Sequence, residues 1–125
     1  MENVKNKADR PMPKFENSPD FTIARNEAIN IVLPAYSGTP PLRASVGITR
    51  IKEDGTLSNL FEALWTSPVE GKETIFKLTK EQMTLITSSD IFFIKLEERY
   101  SLNSGTPEFG IGDQSTEYQI KDIKG

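Results

Sequence analysis

At 125 residues, 36% of them hydrophobic, the chain has the size of one ordinary domain and enough apolar material to hold a core without staples. It contains neither cysteine nor histidine, which removes disulfides, thiolate nucleophiles, Cys-ligated zinc and the commonest general base and metal ligand together. A formal net charge of −3, with only Lys5, Lys7, Arg10 and Lys14 making the first residues slightly basic, argues against nucleic-acid binding by the domain body.

Residues 1–20 carry three prolines, Pro11, Pro13 and Pro19, with little hydrophobicity and no period, so they read as an extended N-terminal arm. The arm has no apolar run of the kind a secretory signal needs. No later stretch approaches the eighteen or so apolar residues of a membrane-spanning helix. Phe15 is an isolated large apolar side chain between Pro13 and Pro19, and it reads as an anchor for a neighbouring subunit. Folding back onto the chain's own sheet is its other use.

The folded domain is expected over residues 21–125. Phe21 to Arg25 predicts a first strand, Asn26 and Glu27 a turn, and Ala28 to Pro34 a second strand with Ile29, Ile31 and Leu33 on one face. Tyr36 to Pro41 reads as a loop, because Gly38 and two prolines cannot continue a ladder. Leu42, Ala44, Val46 and Ile48 then alternate with Arg43, Ser45, Gly47 and Thr49, the cleanest period-two run in the chain. Asp54 and Gly55 supply hairpin-turn chemistry, and Leu57 to Thr66 returns as the partner strand. Leu60, Phe61, Ala63, Leu64 and Trp65 do not alternate cleanly, which predicts a bulge or a helical turn within it.

Pro68 to Gly71 makes another turn and Glu73 to Leu78 another strand. One short helix is expected from Thr79 to Ile86. Thr79 as N-cap and Gln82 three residues later form a capping box, with Leu78 and Met83 as the hydrophobic staple. Phe92, Ile94 and Leu96 lead a strand toward Tyr100. Residues 103–107 read as a loop, and one or two terminal strands are expected between Phe109 and Ile123. Seven or eight short strands separated by Gly, Pro and Asp turns predict an all-β, antiparallel sandwich.

The segments FTIARNEAINIVLP, LRASVGITRIKEDGTL, TIFKLTKEQMTLI, DIFFIKLEE and GIGDQSTEYQIKD together resemble the immunoglobulin-like β-sandwich of tailed-phage virion proteins, such as the N-terminal domain of baseplate upper proteins. The resemblance spans Phe21 to Asp122. Two steps depart from it: Thr39 to Ala44 stands where these domains carry a Gly-x-Pro-apolar-Asp-Leu step, and Ser88-Ser89-Asp90 replaces the usual glycine. A strand, short helix and strand order also occurs in chordin-like domains. The resemblance implies a non-enzymatic structural or adaptor protein of head, neck, tail or baseplate, assembled in the host cytoplasm and held in the virion by protein contacts.

Candidate sites follow from these readings. No catalytic, cofactor or metal site is expected. Glu97 and Glu98 point to opposite faces of a strand, so they cannot share a proton, and both are expected to face solvent. Glu53 and Asp54 with Asp113 or Glu70 could contribute calcium oxygens, but acids in a turn have a conformational explanation. Gly110 to Asp113 is only part of a phosphate-loop pattern. Partner binding to other virion proteins is assigned to the arm, through Arg10, Pro11, Pro13, Lys14 and Phe15, without nucleic acid or membrane, and self-association is allowed. The rival reading is a carbohydrate- or host-surface-binding module with Tyr36, Trp65 and Tyr100 as contacts. Size and acidity also allow a small inhibitor of a host enzyme.

Overall fold

The computed structural model describes residues 12–16, 18, 20–52, 54–86, 91–100 and 113–124. In chain order its elements are β1 (Lys14–Phe15), β2 (Thr22–Ala24), β3 (Ile29–Leu33), β4 (Arg43–Ile51), β5 (Leu57–Asn59), β6 (Leu64–Thr66), β7 (Thr74–Leu78), α1 (Lys80–Met83), β8 (Phe92–Arg99), β9 (Gln114–Gln119) and β10 (Asp122–Lys124). The fold is all-β, mostly in antiparallel sheets, as the alternating patterns predict.

The largest sheet is built around β4. Its alternation places Ala44, Val46 and Ile48 on one face, all fully buried, while Leu42 just ahead of the strand stays exposed, against expectation. β8 pairs with β4 from Arg43↔Arg99 to Arg50↔Phe92, and its own period adds Phe92, Ile94 and Leu96 to the same face. Each such side chain contributes about 1.5–3 kcal/mol by leaving water. Ile31 and Leu33 of β3 with Phe76 and Leu78 of β7 join these residues in one core. β9 closes the far side of β8 through six paired positions.

On the other edge of β4 lie β5 and β6 in turn. Thr49 faces Asn59, yet Val46 faces Leu64, so three residue steps on β4 meet five on the returning chain. The irregular apolar stretch Leu60 to Ala63 is thus a two-residue bulge, anchored by Leu60 N–H donating to Ile48 O at 2.8 Å. Gly47 faces this bulge, with the position of a side-chain carbon only 3.5 Å from Ala63 Cβ. At the hairpin tip Gly55 has φ +88°, the left-handed conformation that Asp-Gly turns require.

The second sheet runs in the order β1, β3, β7. Its edge strand corrects the reading of residues 1–20 as an arm without structure of its own. Lys14 pairs with Val32 and Phe15 with Ile31, and Phe15 is only 1% exposed. Pro13 is buried and Lys14 exposed, so this short piece obeys the same two-residue alternation as the sheet it joins. A lone aromatic ring gains more from a core already organised within its reach than from water. The folded unit therefore reaches back at least to Pro13.

The capping box forms as predicted: Gln82 N–H donates to Thr79 Oγ1 at 3.1 Å, and Thr79 N–H donates to Gln82 Oε1 at 2.8 Å. Leu78 and Met83 flank it, both buried. Only one α-helical turn follows. Leu85 N–H and Ile86 N–H then bond three residues back, to Gln82 O and Met83 O, which tightens the remainder into a turn ending on buried Ile86. The terminal strand breaks the antiparallel expectation, since β10 runs parallel to β2 from Asp122↔Thr22 to Lys124↔Ala24. The main-chain bonds from Lys121 N to Phe21 O and from Arg25 N to Lys124 O clamp both ends of that pair.

Candidate sheet-face contact site

Register decides which side chains meet. Trp65 of β6 lies opposite Ser45 of β4, which in turn lies opposite Glu97 of β8. Arg43 and Arg99, themselves a directly opposed pair, occupy the next row on the same face. Arg43 reaches diagonally across the ladder and sets its guanidinium 4.6 Å from the centre of the Trp65 ring, and Arg99 approaches to 5.7 Å. Trp65 nevertheless stays 40% exposed.

Carboxylates hold Arg99 in place. Arg99 Nη2 donates to Glu97 Oε1 at 3.3 Å, and Arg99 Nη1 stands 3.9 Å from Asp113 Oδ2. Lys95 Nζ meets the other oxygen of Glu97 at 3.3 Å. Asp113 is tied further by the Tyr100 backbone N–H, which donates to its Oδ1 at 2.5 Å. The half-buried Lys95 pair, still open to water on one side, is worth about 0–1 kcal/mol, so its effect is orientation more than stability. Beside Trp65 a hollow of about 30 Å³ is lined by Ser45, Gly47, Asn59, Ala63, Lys95 and Glu97. It has room for a water molecule, whereas small-ligand pockets run to about 300 Å³ or more.

A second polar cluster lies on the opposite, inner face. Glu98 follows Phe92, Ile94 and Leu96 in parity and is wholly buried, which corrects the expectation that it faces solvent. The Tyr36 hydroxyl donates to Glu98 Oε2 at 2.5 Å, and Gln114 Nε2 donates to Glu98 Oε1 at 3.1 Å. Tyr36, only 2% exposed, spans the core from its loop to satisfy this carboxylate. A residue chosen by type as a sugar contact is therefore a structural ligand of a buried acid.

The predicted glycan trio does not assemble. Tyr36 engages the inner face of the five-stranded sheet, Trp65 stands on the outer face, and Tyr100 is half-buried beyond the end of β8. Of the arm residues, Arg10 and Pro11 lie outside the described residues, Pro13 is buried, Phe15 is inside the chain's own core, and Lys14 alone is exposed. Phe15 is thus not offered to a neighbouring subunit in this arrangement. Glu53, Gly110, Ile111 and Gly112 also lie outside the described residues, as do 101–109. Among the described residues no group of three or more His, Cys, Asp or Glu could hold a metal ion, and no helix is long and apolar enough to cross a membrane.

Sequence reasoning overlooked Arg43, Glu97 and Arg99 as companions of Trp65. Parity along the two predicted strands groups Arg43 with Ser45 and Glu97 with Arg99. The register that joins these groups to Trp65 depends on the bulge, which no local signal dates to two residues. No protein-family model, curated protein or solved structure matches the chain.

Proposed function

We propose that the chain is a non-enzymatic structural or adaptor protein of the tailed-phage virion type, an immunoglobulin-like sandwich that binds another virion protein through its outer sheet face. The observation that carries this reading is Trp65, exposed on the edge strand β6, with Arg43 against its ring and the buried Arg99 behind it held by Glu97 and Asp113. Trp and Arg dominate protein-contact hot spots, and side chains ordered beforehand lose less entropy on docking. The resemblance to phage sandwich domains supports the virion setting, with assembly in the host cytoplasm. The contact surface moves from the arm to the sheet face, because Phe15 is committed to the chain's own core.

The test is quantitative mass spectrometry of purified particles produced with wild-type chain or with Trp65→Ala. Incorporation in fixed stoichiometry, lost in the folded variant, is the expected result. Absence of the chain from particles, or unchanged incorporation of Trp65→Ala, overturns the proposal. The exposed ring of Trp65 also keeps the glycan reading in play, and reproducible glycan-array binding abolished by Trp65→Ala would favour it instead.

A further inference from the structure

We infer that the segment around β1 is an exchangeable strap, and that the edge of β3 it occupies accepts the same segment from a second copy of this chain. The inference is independent of the Trp65 face.

The strap has a strong anchor on a short attachment. Phe15 fills the core, its ring centre 5.5 Å from that of Phe21, and it sits opposite fully buried Ile31. Yet β1 spans two residues, and the attachment just beyond it consists of Glu16 N–H donating to Asn30 O at 2.9 Å and Asn30 Nδ2 donating to Glu16 Oε1 at 2.8 Å. Edge pairing of this kind uses backbone groups and one pocket, both of which a second copy supplies identically.

The connection back to the body is where the closed form is under strain. The chain reverses between β1 and β2 through two successive turn bonds, Ser18 N–H to Phe15 O and Phe21 N–H to Ser18 O, each at the long value of 3.2 Å. Completing that reversal puts Phe21 at φ +61°, in the left-handed region that a bulky aromatic residue rarely adopts. Phe21 cannot relax by shifting, because its carbonyl accepts from Lys121 and its side chain is buried. A cleft of about 510 Å³ opens beside the strap and the β2 and β10 pair, lined among others by Glu16, Ser18, Thr22 and Lys124, and the Ser18 hydroxyl, which bonds to Thr22, is the side chain that ties this connection to β2.

Sequence chemistry suits an extended released segment. Ser18 precedes Pro19, and a residue before proline is pushed toward extended backbone. Pro11 and Pro13 stiffen the strap likewise, so opening yields an extended segment able to reach another copy. Reciprocal exchange closes as a two-fold dimer that keeps every strap contact and relaxes the turn at Phe21. Strained connections of this kind invite swapping.

The chain's lack of cysteine makes the test direct. Lys14 and Val32 are directly opposed in the ladder, a spacing that a disulfide can bridge. The double variant Lys14→Cys/Val32→Cys, oxidised at low concentration, should close as a monomer. Failure to close would overturn the seating of the strap itself. Lys14→Cys and Val32→Cys are then mixed as separate folded chains, incubated and oxidised, and the peptide linking positions 14 and 32 is measured by mass spectrometry. While monomer predominates, a tenfold rise in chain concentration should raise the linked fraction about tenfold by mass action. A linked fraction no greater than that of Lys14→Cys mixed with Ser115→Cys, a remote exposed position on β9, would refute exchange.

Discussion

Replacing Tyr36 with phenylalanine removes one oxygen and leaves the ring that fills the core. The lost contact is the 2.5 Å hydrogen bond to Glu98 Oε2, between two buried groups. Neutral hydrogen bonds contribute about 0.5–1.5 kcal/mol and those to charged groups about 1.5–3 kcal/mol. Glu98 keeps the Gln114 donor at 3.1 Å on its other oxygen, so Tyr36→Phe should cost about 1.5–3 kcal/mol, within that range. At about 2.1 cal/mol/K per residue, a chain of 125 residues unfolds with an entropy near 0.26 kcal/mol/K, which converts the loss to a Tm decrease of about 6–11 °C. Differential scanning calorimetry at neutral pH measures it. In a Glu98→Gln background the same substitution should cost only the neutral value, about 0.5–1.5 kcal/mol, because the acceptor is then an amide. A Tm decrease below about 2 °C, or an equal loss in both backgrounds, would refute the reasoning that a buried carboxylate is what holds Tyr36.

Phe15→Ala should destabilise the domain by about 3–5 kcal/mol in denaturant unfolding, as for other buried Phe truncations; a loss below about 1 kcal/mol would mean that the strap adds nothing to the core. Gly55→Ala places a side chain at φ +88° and should lower stability even though nothing stands within 4 Å of the added carbon, whereas free space alone would predict no change. Asp54 accepts from Thr56 N–H at 3.0 Å and from its hydroxyl at 2.7 Å, chiefly the backbone bond holding its carboxyl below the ordinary 3.8. Since the folded-state value is the lower one, the turn's contribution is complete above pH 3.8 and lost as pH falls through the folded pKa. The Thr56 amide resonance should titrate in that acid range in wild type and stay flat in Asp54→Asn.

Local chemistry made much of the fold readable. Thr79 and Gln82 are three residues apart, and a capping box needs only that spacing. Asp54-Gly55 marks its hairpin because glycine alone takes the required φ without cost. Ala44, Val46 and Ile48, with Phe92, Ile94 and Leu96, declare their shared face because a strand alternates every two residues. The same alternation places Glu98 on the dry face, against what its charge suggests, and no local signal shows the partner that makes its burial tolerable. Tyr36 is 62 residues away in sequence and meets that carboxylate only across the finished core.

What tertiary structure alone decided are the relations between distant segments. The parallel pairing of β10 with β2 joins segments about a hundred residues apart in sequence, and no pattern within either strand specifies its partner. The two-residue bulge after Asn59 sets which β4 residues Trp65 meets, and so brings Arg43 and Arg99 to its ring. Phe15 stands in a stretch too polar and proline-broken to fold alone, and it was drawn inward because the edge of β3 offered backbone partners and an apolar socket at once. From Phe21 onward, sequence by itself determined most of the strands and turns, since propensity and period act over a few residues. Burial, register and pairing had to await the fold, because each depends on surfaces contributed by parts of the chain that have no sequence proximity.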